Sequence, residues 1–97
     1  MRTMRSVRIA GTGMHVPPRV VTNADLEKLM DTSDEWIQQR TGIAERHHVD
    51  AGMGPAEIAH LAARQALSNA GITPEQIDAI VVASLSPQHD FPGISCF

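Results

Sequence analysis

Ala79-Ile80-Val81-Val82-Ala83-Ser84 is an almost unbroken run of apolar and β-branched residues. Such a run offers no polar face to water, so it predicts a strand covered on both sides. Pro87 stops it. Upstream, Ile58, Leu61, Ala62, Ala66, Leu67 and Ala70 recur at helical spacing, with Pro55 at the first helical position, Gly54 as a permissive cap and Gly71 as the stop. Alanines 59, 62, 63 and 66 keep this helix thin enough to pack close to a sheet. Thr73-Pro74-Glu75-Gln76 predicts one further helical turn. A long helix leading into a doubly covered strand is half of a βαβ unit.

The first half supplies the rest. Val7-Arg8-Ile9-Ala10 reads as a strand running into a tight turn at Gly11-Thr12-Gly13. Val20-Val21-Thr22 reads as a brief strand, Asn23 as a helix N-cap, and 24–30 as a short helix. A second helix is capped by Thr32 or Ser33, carries Asp34 and Glu35 in its first turn, and ends before Gly42. Residues 43–49 read as another strand. The order predicts an α/β fold, one domain over residues 1–97, with a parallel or mixed sheet and right-handed βαβ crossovers.

Composition narrows the class. The chain has 97 residues, 42% hydrophobic and 20% charged, which suits a globular fold. With two Phe, one Trp and no Tyr, its core must be aliphatic. A net charge of -3 argues against non-specific nucleic-acid binding. No apolar run is long enough to span a bilayer and no signal-peptide stretch follows the charged start, so a cytoplasmic location with no membrane partner is expected. The single cysteine, Cys96, excludes an internal disulfide framework. The chain closes on Ile94-Ser95-Cys96-Phe97 with no polar tail, so it reads as an interrupted protein.

Trp36 and Arg40 lie four residues apart, so a helix places them on one face. An indole and a guanidinium fork together suit a ligand with a flat base and a phosphate. On spacing alone, a core Trp36 and a solvated Arg40 are the plainer reading. Gly11-Thr12-Gly13 lacks the third glycine of a dinucleotide loop, since position 16 is Val. His47 and His48 are adjacent, and His15, His60 and His89 have no partners at ligand spacing, so no metal site is expected. Cys96 follows a helix start at Pro92, but its apolar neighbours favour a buried structural thiol over a nucleophile.

The stretch Thr32-Ser33-Asp34-Glu35-Trp36-Ile37-Gln38-Gln39-Arg40-Thr41-Gly42-Ile43, with Arg46 beyond it, closely resembles the T-S-D-E-W-I-x-x-R-T-G-I-x-x-R motif of β-ketoacyl-acyl-carrier-protein synthase III. Ile9 to Gly13, Thr22-Asn23-Ala24-Asp25-Leu26, Ala70-Gly71-Ile72, Ile77 to Ala83, and Phe91-Pro92 with Cys96 are similar to other parts of that family in order and spacing. The resemblance implies the N-terminal part of a thiolase-like half-domain, truncated before the helix that carries the nucleophile.

It also implies an activity for the parent protein, a decarboxylating acyltransferase that condenses an acyl-CoA with malonyl-acyl-carrier protein in fatty-acid initiation. In that picture acyl-CoA is a substrate, no cofactor is needed, and the full-length protein is a homodimer. By the same resemblance Thr32, Trp36 and Arg40 would hold CoA, with Trp36 stacked on the adenine. Phe91 would stand near the dimer interface and reach the partner's acyl pocket. The family's cysteine, histidine and asparagine fall later in the sequence, so no catalytic residue is assigned and these 97 residues alone are expected to be inactive. Departures at 50–55, 86–90 and 92–94 leave open a synthase priming a specialised lipid or polyketide, and a separate alternative is a catalytically empty fragment that acts at most as a dimerising or partner-binding module.

Overall fold

The computed structural model describes residues 3–86, 93 and 96. The chain divides into two compact units. Val16–Met53 forms one, and the described residues on either side of it form the other.

The unit Val16–Met53 is built around a short antiparallel ladder. Strand β1 (Arg19–Thr22) pairs with β2 (Glu45–His48), placing Val21 opposite Arg46 and Thr22 opposite Glu45. Between the strands the chain makes two helices, α1 (Asn23–Glu27) and α2 (Asp34–Thr41). Thr22, not Asn23, caps α1. Its hydroxyl accepts from the Asp25 N–H at 3.2 Å, and the Asp25 carboxylate accepts from the Thr22 N–H at 2.9 Å. The Thr-x-x-Asp spacing permits this reciprocal box, which takes two otherwise orphaned N–H groups at once. Asn23 is thereby released for another task. Helix α2 stops at Gly42, whose φ of 71° is the left-handed geometry that glycine adopts without steric cost.

In the other unit, α3 (Pro55–Ala70) runs sixteen residues. Gly54 precedes it, Pro55 opens it, and the Glu57 carboxylate accepts from the Gly54 N–H at 2.9 Å. Gly71 closes it at φ 70°. The six positions expected on its inner face are half-buried, whereas Ala59, Arg64 and Gln65 are exposed. A 3-10 turn, Pro74–Gln76, follows as expected.

The G-x-G stretch differs from expectation. Neither Gly11 nor Gly13 has a positive φ, and no turn forms there. Both glycines lie flat on α3. A Cβ on Gly11 would stand 2.6 Å from the Ala66 carbonyl oxygen and 2.8 Å from the Ala70 Cβ, and one on Gly13 would strike the Ala62 carbonyl. The segment runs antiparallel to the helix and is tied to it at both ends. Asn69 donates to the Thr12 carbonyl at 2.8 Å, and the Met14 N–H donates to the Gln65 side chain at 2.7 Å. Small residues on both sides allow backbone to meet backbone, which is why alanine recurs at 62, 66 and 70.

The α/β class stands, with its parallel pairing unformed here. Among the described residues the β1–β2 ladder is the only sheet, and 7–10 and 79–84 belong to none. A strand needs a partner to take its ladder hydrogen bonds, and these two segments find none among those residues. They instead flank an apolar groove of about 490 Å³ beside α3, lined by Ile9, Ala66, Leu67, Ala70, Ile77 and Ile80 among others. Cys96 is exposed rather than buried, and its N–H donates to the Gly93 carbonyl at 3.0 Å.

Candidate functional site

Helix α2 carries the residues singled out by the motif. Eight residues are too few for a self-sufficient helix, so its ends must be held. Ser33 caps it, accepting from the Trp36 N–H at 3.1 Å. Glu27 accepts from the Asp34 N–H at 2.7 Å. Asp34 and Glu35 sit at the positive end of the helix, and Arg40 sits in its last turn, at the negative end. Thr41 donates to the Ile37 carbonyl at 2.7 Å, and the Ile43 N–H donates to the Thr41 hydroxyl at 3.1 Å, carrying the chain out of the helix.

Only Ile37 of this helix is buried. Trp36 is 55% exposed, an unusual position for a large aromatic side chain. The core reading of Trp36 is therefore set aside. The Arg40 guanidinium lies 5.6 Å from the centre of the indole, within cation–π range, so the two side chains do share one face. Beside the ring, Asp31, Thr32, Ser33 and Trp36 line a hollow of about 290 Å³. Thr32 is half-buried at its edge. Trp36 and Arg40 thus share one face of α2, while Thr32 stands just before its N-cap, beside Trp36 in the hollow. Phe91 lies outside the described residues.

Behind the helix is a polar cluster that sequence reasoning missed. Asn23 is 1% exposed, and both polar atoms of its side chain are bonded to the protein around it. Its amide nitrogen donates to Asp34 at 2.7 Å and to the Ile43 carbonyl at 2.9 Å. Its oxygen accepts from Arg46 at 2.6 Å. Arg46 also donates to the Val21 carbonyl at 3.2 Å, and the Asn23 backbone N–H donates to the Ala44 carbonyl at 3.1 Å. Asp34 is further held by Gln38, at 2.8 Å to each carboxylate oxygen. The hydrogen bonds from Gln38 first, and from Asn23 second, hold the Asp34 carboxyl below the ordinary carboxylate value. The signal that could have revealed this was the capping spacing of Thr22 and Asp25, which leaves Asn23 without a capping role.

The histidines do not converge. His47 Nδ1 lies 2.6 Å from the Pro17 carbonyl, so that nitrogen carries the proton and donates. Among the described residues no group of three or more His, Cys, Asp or Glu side chains is arranged to hold a metal ion. No helix there is long and apolar enough to cross a membrane.

No protein-family model matches the chain. Individual proteins do. A β-ketoacyl-[acyl-carrier-protein] synthase III from Bacillus anthracis is 52% identical over 91 residues, which are 94% of this chain and 29% of that protein. The crystal structure of 3-oxoacyl-[acyl-carrier-protein] synthase III from Aquifex aeolicus superposes with a TM-score of 0.84 at 48% identity, covering 91% of this chain and 28% of the other. This chain belongs with the β-ketoacyl-acyl-carrier-protein synthase III family, over the N-terminal part of its members. The priming β-ketosynthase of the R1128 polyketide pathway also superposes, with a TM-score of 0.86 at 32% identity, covering 92% of this chain and 27% of the other. The thiolase-like synthase III fold class is shared with these neighbours, and the chain spans a little under a third of their length.

Proposed function

We propose that this synthase III segment supplies the nucleotide-binding platform for acyl-CoA in a decarboxylating condensing enzyme. The observation that carries the reading is the half-exposed indole of Trp36, with Arg40 over its ring and Thr32 beside the adjoining hollow. An aromatic ring left in water costs free energy that stacking against a flat base recovers. CoA presents such a base next to phosphates, and the guanidinium offers donors that phosphate oxygens accept in pairs.

The reaction follows from the family. An acyl group passes from CoA to a cysteine thiolate, expelling the CoA thiol. Malonyl-acyl-carrier protein then loses carbon dioxide, and its carbanion displaces the thiolate to form the new carbon–carbon bond. In this reading the residues of this segment hold the nucleotide handle of the donor, so that remote binding energy orients the thioester for attack. The catalytic groups belong to the remainder of the synthase, which works as a homodimer on acyl-CoA and the carrier protein. Fatty-acid initiation is the reading that the 52% identity to a protein named synthase III favours over specialised priming.

The test uses a full-length synthase carrying this segment. Trp36→Ala removes one stacked base, worth about 1–3 kcal/mol by the cost of losing comparable aromatic–base stacking. The expected result is a KM for acetyl-CoA raised roughly tenfold with kcat little changed, since about 1.4 kcal/mol is a factor of ten. An unchanged KM would refute the assignment.

A further inference from the structure

We infer that Asn23 is a positioning residue for this platform, one buried carboxamide that holds both ends of α2 and so sets where Trp36 and Arg40 stand. The inference rests on the nucleotide reading of α2 given above. The observation behind it is that the same amide nitrogen reaches Asp34, the first residue of the helix, and the carbonyl of Ile43, just past its C-cap. The Asn23 backbone N–H adds a third hold, on Ala44.

The partners fix the amide's orientation. Asp34 and the Ile43 carbonyl only accept, so the nitrogen must face them. Arg46 only donates, so the oxygen must face it. Arg46 in turn binds the Val21 carbonyl and stands opposite Val21 in the β1–β2 ladder, which ties the clamp to the sheet. Asn23 is thus the point where β1, α2 and β2 meet. Helix α2 is short and buries only Ile37, and besides Asn23 it is tied to α1 by the Glu27 bond to the Asp34 N–H. Its angle is therefore set by its ends, and a small tilt would carry a stacked indole and a guanidinium off a bound nucleotide.

The test again uses a full-length synthase carrying the segment, with acetyl-CoA as the probe. Asp34→Ala cuts the α2 end of the clamp at an exposed residue. It is expected to raise KM for acetyl-CoA about fivefold or more, with kcat within about twofold of the parent, because the lost quality is orientation of the bound donor. Asp34→Asn keeps an acceptor oxygen for Asn23 and is expected to return KM to within about twofold of the parent. Asn23→Asp loses both donated bonds and sets a carboxylate against Asp34. It should raise KM at least as far as Asp34→Ala, and if it fails to fold, the Asp34 pair decides.

Trp36→Ala runs alongside as the reference. A raised KM in Trp36→Ala with an unchanged KM in Asp34→Ala overturns the clamp and leaves the nucleotide reading standing. So does an Asp34→Asn no better than Asp34→Ala, with kcat and thermal stability falling together. An unchanged KM in Trp36→Ala overturns the nucleotide reading and the clamp with it.

Discussion

Asn23 and Trp36 invert the usual distribution of polar and apolar side chains, one sealed at 1% exposure and the other open at 55%. The buried amide is tolerable because every polar atom it carries is bonded. In the nucleotide reading proposed above, the open indole is a stacking surface for a ligand. Neither was legible from spacing. Trp36 next to Ile37 in an amphipathic stretch reads as core, and only its place in the longer motif turned the reading around. Asn23 reads as a cap because Asn caps helices well, and the competing Thr22 sits one residue earlier. The Thr22–Asp25 box has a consequence in pH. The Thr22 backbone N–H first, and its hydroxyl second, hold the Asp25 carboxyl below its ordinary value. A carboxylate with a depressed folded pKa contributes stability above its unfolded pKa and loses it as pH falls through the folded one. In a full-length synthase, Asp25→Asn should therefore be less stable than its parent at neutral pH. The gap should close as pH drops below the ordinary carboxylate range. Denaturant midpoints measured across that range read it, and a gap independent of pH would contradict it.

At the level of elements, the sequence placed α2, α3, the Pro74 turn and both glycine C-caps close to where they fall. Those features are local: a cap, a proline or a glycine acts on its own turn. What escaped was the pairing of two distant stretches. A glycine pair after an apolar run suggests a turn, and an alanine ladder suggests a thin helix. Neither states that the two lie against each other with Gly11 over Ala66 and Ala70. The ladder pairing of β1 with β2 across two helices was hidden for the same reason. The glycine contact has a measurable strength. Gly11→Ala drives a methyl group to 2.6 Å from the Ala66 carbonyl, a rigid backbone atom. We expect a loss of about 1–3 kcal/mol in the stability of a full-length synthase carrying the segment, as for other overpacked contacts. Stability unchanged in chemical unfolding would show that the segment can lift from α3 without cost.

For the molecule as a whole, the described residues bury little apolar surface. Among the described residues, Val21 and Ile37 are the buried apolar side chains, while Val7 at 93%, Ile9 at 85% and Val81 at 94% stand in water. Ordering a residue costs on the order of 1–2 kcal/mol, and two buried side chains cannot offset that over a chain of this length. The apolar run at 79–84 reads in sequence as a strand covered on both faces, and covering it takes more than these residues supply. The 97-residue segment alone should therefore show no cooperative unfolding transition in urea by circular dichroism. A sharp sigmoidal transition would show a self-sufficient core. The stability and kinetic predictions above accordingly belong to the full-length synthase. The proposed division of labour is testable there as well, because CoA can be shortened. The most direct measurement compares kcat/KM for acetyl-CoA and for acetyl-phosphopantetheine, which lacks the nucleotide, in the parent enzyme and in Trp36→Ala. The account predicts that the substitution lowers kcat/KM for acetyl-CoA roughly tenfold and leaves the shortened donor untouched, so the preference for the nucleotide collapses. An equal loss for both donors, or none for either, would contradict it.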